Sequence, residues 1–231
     1  MPLDAYEALR TVPLFREIPE PDLRAIAQLV RERQYTKGSL VLSEGDPGDA
    51  LYFIVRGQVK VTVVAEDGRE VILSVLAAGT FFGEMALLDD EPRSAHVITM
   101  EDSILLQLRR EDFRTRLRHA PELAISLLRE LSRRLRPADS TIASLMLLDV
   151  NGRIARLLLE LAREEGGGGN RITRRLTHAA IGQMVGASRE TVSRTMRNLV
   201  LRNLIAVTRK EVLLLDPAAL RSAAQLSQPA D

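Results

Sequence analysis

The sequence predicts an α+β protein in which a small all-β domain, a long helix and a compact helical domain closed by a β-hairpin follow one another. Three observations predict it. Between Gln34 and Leu108, short β-rich runs alternate with turn residues. From Leu128 to Leu145, apolar residues recur at alternating spacings of three and four. From Thr177 to Arg194, two short amphipathic segments flank Gly186.

The bulk composition bounds the rest. A chain of 231 residues, 45% hydrophobic and 27% charged, fits two soluble domains. Aromatics make up only 3% and tryptophan is absent, so the core is expected to be aliphatic. The chain has no cysteine, which excludes structural disulfides, cysteine-held zinc and a protein-held iron–sulfur cluster. Residues Met1 to Arg16 lack the apolar run of a signal peptide, and no stretch approaches the ~20 apolar residues that cross a bilayer. A cytoplasmic location without membrane contact is the expectation. Net charge is +1 but uneven: residues 171–210 hold nine Arg or Lys against Glu190 alone, a balance of +8, and residues 1–170 carry −5. A basic segment on an acidic body is the asymmetry expected when one domain meets a polyanion.

In order along the chain, residues 4–34 are expected to be helical from the spacing of Leu9, Val12, Leu23, Ile26, Leu29 and Val30, punctuated by Pro13, Pro19 and Pro21. The β region follows, with Glu66-Asp67-Gly68-Arg69 as a hairpin turn in which glycine supplies positive φ. Helix returns at Arg110 and is expected to run to about Leu148. Within it Leu128, Leu131, Leu135, Ala138, Ile142 and Leu145 form a heptad seam suited to pairing with a second copy, and hence to a homodimer. Leu148 and Asp149 form a hinge, with Asp149 capping a helix over Asn151 to Glu165. Gly166 to Gly169 make a flexible connector. The expected division is a β-rich domain over 1–120, a dimerisation helix over 121–148, a small helical domain with a closing hairpin over 149–222 and a flexible tail over 223–231.

The segment Thr177 to Arg194 is the most specific signal. Thr177 and Ser188 are N-cap candidates for two helices, and Gly186 supplies the positive φ of the turn between them. Val192, Met196 and Leu199 face inward, which turns Arg189, Glu190, Ser193, Arg194 and Arg197 outward. The N-terminal half of the second helix of such a motif enters the major groove. There an arginine donates twice to guanine and a glutamate accepts from cytosine, each contact discriminating by ~1–3 kcal/mol. Arg174, Arg175, Thr177, His178 and Arg202 are placed for phosphates. Leu204 to Val207 and Val212 to Leu215 flank Thr208-Arg209-Lys210-Glu211, a winged hairpin with Arg209 and Lys210 at its basic tip.

The second signal is Phe82-Gly83-Glu84-Met85-Ala86 followed by Pro92-Arg93-Ser94-Ala95-His96. Gly83 lets backbone approach a bound group, and Met85 and Ala86 open a short helix whose free N–H groups suit an anion. Arg93 supplies a planar fork for a phosphate diester, Ser94 a hydroxyl, and Glu84 an acceptor for a ribose hydroxyl. The plainer reading is an Arg93–Glu84 ion pair in an unliganded barrel. No metal-ligand cluster or nucleophile–base constellation stands out, so no catalytic residue and no metal site is expected, and the chain does not read as an enzyme.

With both motifs in order, Val12 to Leu215 resembles the CRP/FNR family of transcription regulators, in particular its cyclic-AMP receptor branch. Gly83-Glu84 with Arg93-Ser94-Ala95 is similar to the family's phosphate-binding cassette. Leu148 to Ala155 resembles its hinge and following helix, and Ile181 to Gly186 with Ser188 to Val192 its DNA-binding signature. The resemblance implies a cyclic-nucleotide-binding β-roll of jelly-roll type, a dimerisation helix and a winged helix-turn-helix. It implies a homodimer that contacts RNA polymerase and binds a two-fold site related to TGTGA–N6–TCACA. Arg189 and Arg194 would each read a guanine and Glu190 a cytosine. It implies no covalent cofactor, with cyclic AMP as the effector. One departure stands out: Ala138 and Asp139, after Pro137, replace the threonine–serine pair that the cyclic-AMP branch offers to the adenine. Alanine offers the base no hydrogen bond, Asp139 is able to accept from an amino group, and Arg134, one turn earlier, reaches toward the same base. Another nucleotide, or DNA binding without ligand, therefore stays open. So does a nucleotide-binding module serving an enzyme or channel, against which the basic helix-turn-helix segment argues.

Overall fold

The computed structural model describes residues 4–165, 170–174, 176–208 and 211–224. Two compact units divide between Leu135 and Arg136, within the long helix.

In the first unit, α1 (Ala5–Arg10) is capped by Asp4, whose carboxylate accepts from the Tyr6 and Glu7 N–H groups. A 3-10 turn over Pro13–Phe15 and α2 (Glu20–Ala27) follow. They bury Leu9, Val12, Leu14, Phe15, Leu23 and Ile26 in one cluster with Leu51, Phe53, Phe81, Leu108 and Phe113. Full burial of each such side chain contributes roughly 1.5–3 kcal/mol. The helical pattern stops earlier than its apolar spacing predicts. Arg31–Tyr35 is strand β1, not helix, and pairs antiparallel with a later strand through all five residues. Its exposed, mostly charged residues show no alternation, and only the neighbouring strand makes it β.

The strands β2 (Leu40–Leu42), β3 (Ala50–Arg56), β4 (Gln58–Val64), β5 (Glu70–Ala77), β6 (Phe81–Phe82), β7 (His96–Thr99) and β8 (Ser103–Arg109) complete two antiparallel four-stranded sheets, in the orders β1-β8-β3-β6 and β2-β7-β4-β5. Between β6 and β7 lies α3 (Met85–Leu88). Strand β3 is buried on both faces. Leu51 and Phe53 enter the helix-side cluster, whereas Ala50, Tyr52 and Ile54 join Leu42, Val59, Phe82, Val97 and Leu105 between the sheets. The predicted hairpin joins β4 to β5, with Gly68 at φ 80°.

The expected single helix from Arg110 is two. Helix α4 (Arg110–His119) ends at Ala120, which lies at φ −128° and ψ 87°, and α5 runs Pro121–Leu147. A residue before proline is pushed out of the helical region, and proline suits the first turn of the next helix. Helix α5 continues through Pro137, whose carbonyl accepts from the Thr141 hydroxyl at 2.9 Å.

In the second unit, α6 (Val150–Glu164), α7 (His178–Val185), α8 (Arg189–Leu201) and α9 (Pro217–Ala224) enclose Ile154, Leu158, Ile181, Val185, Val192, Met196, Leu199 and Leu220. A three-stranded sheet closes the domain: β9 (Arg171–Ile172), β10 (Ile205–Val207) and β11 (Val212–Leu214), in the order β10-β11-β9. The hairpin β10–β11 is the expected wing, and β9, too short to show a period, comes from the fold. Helix α9 extends two residues into the expected tail, the remainder of which lies outside the described residues, as do Gly166 to Gly169. Among the described residues no helix is long and apolar enough to cross a membrane.

Candidate DNA-reading face and ligand cradle

The candidate DNA-reading face is built by two caps and a turn. The Thr177 hydroxyl accepts from Ala180 N–H at 3.1 Å and starts α7, and the Ser188 hydroxyl accepts from Thr191 N–H at 3.1 Å and starts α8. Between them Gly186 sits at φ 65°, ψ 48°, the left-handed region that a helix C-terminus favours. Its neighbour Ala187 donates back to the Gly182 carbonyl at 3.0 Å. A Cβ on Gly182 would lie 2.5 Å from the Ala187 carbonyl oxygen, so this helical glycine fixes how closely the two helices meet. Gly186 marks itself by its place at the turn. Gly182 carries no such signal, and only the packing reveals it.

Helix α8 buries Val192, Thr195, Met196 and Leu199. Arg189, Glu190, Arg194, Arg197 and Arg202 are exposed, and Ser193 is half-buried with its hydroxyl 3.4 Å from Arg197 Nη2. Arg189, Glu190, Arg194 and Arg202 make no ion pair with any described residue, so their charge faces solvent. The buried Thr195 hydroxyl donates to Asn151 Oδ1 at 2.9 Å and ties α8 to the start of α6. Beside that bond lies a cleft of about 350 Å³, lined by Asp149, Asn151, Thr191, Arg194 and Asn198.

The remaining phosphate candidates divide. Thr177 is exposed at its cap and His178 is half-buried at the first position of α7. Arg174 is held by two acids, Glu164 at 2.8 Å and Glu165 at 3.4 Å, and has to exchange them to reach a phosphate. Arg175, Arg209 and Lys210 lie outside the described residues. At the expected hinge, Asp149 caps α6 by accepting from Gly152 N–H at 2.8 Å, and the Leu148 carbonyl accepts from Arg153 Nη1 at 3.0 Å. Arg156 of α6 also donates to the Ser140 hydroxyl in the last turns of α5.

Four of the six seam residues are exposed apolar side chains: Leu128 (64%), Leu135 (60%), Ile142 (56%) and Leu145 (49%). Ala138 is exposed as well, whereas Leu131 packs against the core of its own unit. Ile125 and Met146 add exposed apolar surface to α5 that the heptad count leaves out.

The cradle forms where β6 leaves the barrel. Gly83 lies at φ 85°, and a Cβ there would sit 2.8 Å from Arg93 Nη1, so glycine makes room for the guanidinium. Arg93 is only 4% exposed. Its Nη1 donates to the Gly83 carbonyl at 2.7 Å, and its Nη2 to the Ala50 carbonyl at 2.8 Å and to Asp49 at 3.0 Å. Its Nε, equally buried, has no partner. A buried charged donor left unmatched is costly, and an anionic acceptor would satisfy it. Met85 and Ala86 begin α3, which is only four residues long. Ser94 is exposed, its hydroxyl 3.8 Å from the Met85 sulfur, and Ala95 is buried.

The Arg93–Glu84 ion pair of the plainer reading does not form. Glu84, also 4% exposed, pairs with Arg134 of α5: Nη1 lies 3.1 Å from its carboxylate. Arg134 also donates to the Phe81 carbonyl at 2.7 Å and lies over the Phe81 ring at 4.3 Å. Burial raises the pKa of Glu84, and the charges of Arg134 and then Arg93 oppose that rise. Sequence placed Arg134 near a base. The fold sets it on the carboxylate, a pairing of positions 50 residues apart that no local pattern signals. Ala138 and Asp139 are exposed on α5.

Comparison with known proteins matches a family model to each of the two domains. Residues 32–119 match the model of the cyclic nucleotide-binding domain, and residues 152–223 match that of the Crp-like helix-turn-helix domain. A CRP-like cAMP-activated global transcriptional regulator of Mycobacterium tuberculosis is 36% identical over 213 residues, covering 91% of this chain and 95% of that protein. The cyclic AMP receptor protein of Thermus thermophilus is 35% identical over 187 residues, covering 81% and 85%. Among solved structures, the c-di-GMP responsive global regulator CLP of Xanthomonas campestris superposes with a TM-score of 0.75 at 25% identity, covering 85% of this chain and 99% of that one. A cyclic nucleotide-binding domain, a helix-turn-helix for DNA and relatives matched over nearly their whole length place this chain in the CRP/FNR family of transcription regulators.

Proposed function

We propose that the protein is a homodimeric regulator whose affinity for a two-fold DNA site is set by a cyclic nucleotide in the cradle, with cyclic AMP as the first candidate. The observation that carries ligand control is Arg93: nearly wholly buried, with an unmatched Nε, beside a glycine that clears its approach. Arg93 would hold the cyclic phosphate with Gly83, Met85, Ala86, Ser94 and Ala95 around it, and Glu84 would accept from the ribose hydroxyl. The relatives named as a cAMP-activated regulator and as a cyclic AMP receptor protein support this effector. The c-di-GMP responsive neighbour, together with Ala138 and Asp139 in this chain, makes a second cyclic nucleotide the competing reading. The exposed stripe of Leu128, Leu135, Ile142 and Leu145 would form the dimer seam, with RNA polymerase a further partner.

On DNA, Arg189, Glu190 and Arg194 would read base edges in a TGTGA-like half-site. Ser188, Ser193 and Arg197 would support them, and Arg174, Arg175, Thr177, His178, Arg202, Arg209 and Lys210 would contact the phosphates. Ligand changes DNA affinity only by its differential affinity for two arrangements of the hinge at Leu148 and Asp149, typically ~1–3 kcal/mol.

Calorimetric titration with cyclic AMP, cyclic GMP and cyclic di-GMP tests the cradle, with Arg93→Ala expected to abolish binding. Duplex binding with and without the bound nucleotide tests the coupling, and Arg189→Ala should flatten the base preference. Binding of none of the three, or DNA affinity indifferent to whichever binds, overturns ligand control and leaves a constitutive DNA-binding regulator.

A further inference from the structure

We propose that Arg110 and Arg114 of α4 are positioning residues for the cradle, holding the segment 85–92 that joins its two halves. The proposal rests on the cyclic-nucleotide reading of the cradle and concerns two side chains that reading leaves out.

Gly83 and Glu84 stand directly before that segment and Arg93 directly after it. Its first part, α3, is four residues long, too short to keep a helical shape by its own hydrogen bonds. The Glu84 carbonyl accepts from Leu87 and Leu88 N–H at 3.0 and 3.2 Å, and the Met85 carbonyl from Asp89 N–H at 3.1 Å. The next two carbonyls are taken by arginines. Arg110 Nη2 donates to the Ala86 carbonyl at 2.7 Å, and Arg114 Nε to the Leu87 carbonyl at 2.8 Å. A cation suits this end of a helix, where carbonyls lack donors of their own. The rest of the segment is held through Asp90. Its backbone lies at φ 64°, a left-handed conformation that a residue with a side chain keeps only where its surroundings enforce it. Its carboxylate accepts from Arg110 Nη1 and, at 2.6 Å, from Arg114 Nη2. The bond from Arg114 holds the Asp90 carboxyl below the usual carboxylate range, so the charge persists at neutral pH. Arg110 also grips a third element. Its Nε donates to the Gly48 carbonyl at 2.6 Å and its backbone N–H to the Asp49 carbonyl at 2.8 Å. Asp49 in turn accepts from Arg93. A Cβ on Gly48 would sit 2.5 Å from the Ala86 Cβ, so this loop and α3 are in contact. Two guanidiniums one turn apart on α4 thus fix the segment that sets how far Gly83 and Glu84 stand from Arg93. Only a planar fork serves three acceptors at once, as Arg110 does.

Two measurements on the full chain decide the matter. In the ligand-free protein, NMR follows amide hydrogen exchange. Arg110→Met and Arg114→Met should each speed exchange at Leu87, Leu88 and Asp89 by at least about tenfold, with the amides of β3 and β8 unchanged. Arg118→Met, at an exposed arginine of the same helix, should change neither set. Unchanged exchange at the three amides, or an equal rise throughout the domain, overturns the proposal whether or not any nucleotide binds. Calorimetry then measures cyclic AMP. Each of the two variants should bind at least about tenfold more weakly than the wild-type chain, and Arg118→Met should bind as the wild type does. Wild-type affinity in Arg110→Met and Arg114→Met, with only the urea midpoint lowered, would show a merely structural role and overturn the positioning of the cradle. A wild-type chain that binds no cyclic AMP overturns the cyclic-AMP reading and the effect on affinity with it, while the exchange rates still decide whether the arginines hold α3.

Discussion

A methyl group in place of the Gly182 hydrogen that faces Ala187 has nowhere to go. The new Cβ would lie 2.5 Å from a backbone carbonyl oxygen, closer than real Cβ atoms approach, and backbone cannot rotate aside as a side-chain tip does. The Ala187 segment must retreat by at least about half an ångström to reach the shortest tolerable contact. Gly182 is also the acceptor for the Ala187 N–H, so the same movement stretches that bond. Two effects oppose each other. Alanine in a helix interior gains about 1 kcal/mol over glycine, whereas forcing extra volume into a packed junction costs about 1–3 kcal/mol. Gly182→Ala should therefore end neutral to about 2 kcal/mol less stable in urea unfolding. Because Ala187 precedes the Ser188 cap, α8 must tilt with it, and duplex affinity should fall tenfold or more by fluorescence anisotropy. Gly186→Ala is the control: its Cβ meets only Leu145 at 3.7 Å, so it carries the left-handed strain of roughly 1–2 kcal/mol without the clash. A Gly182→Ala chain stabilised by the full propensity gain, with DNA affinity unchanged, would refute the reasoning.

Two further outcomes follow from burial and charge. Leu135 is exposed in the middle of α5, and its loss from a two-fold seam removes two side chains of roughly 1.5–3 kcal/mol each. Leu135→Lys should thus raise the dimer dissociation constant at least 100-fold in analytical ultracentrifugation, and an unchanged constant would place the seam elsewhere. Burial raises the pKa of Glu84 above its unfolded value. Its contribution to stability is therefore complete below about pH 4.3 and is lost as pH rises through the folded value. Glu84→Gln should gain stability over the wild-type chain as pH rises from about 4.5 toward neutrality, while losing affinity for ribonucleotides. A stability difference that shrinks with rising pH would contradict that sign.

What the sequence by itself determined lies wherever one local rule governs. Thr177, Ser188 and Asp149 cap helices because their side chains reach backbone donors three residues on, and Gly186 and Gly68 take positive φ because the turns demand it. The order of barrel, long helix and winged helix-turn-helix is legible for the same reason: each element announces its period within a dozen residues. The tertiary structure decided what depends on partners far along the chain. Strand β1 exists because β8 pairs with it, β9 because β11 does, and Leu131 turns inward because its own core lies beside it. The Arg93–Asp49 and Arg134–Glu84 pairs join positions more than 40 residues apart, and the Gly182 contact depends on two helices meeting. Local patterns fix which way a residue faces, but only the closed fold decides what it faces.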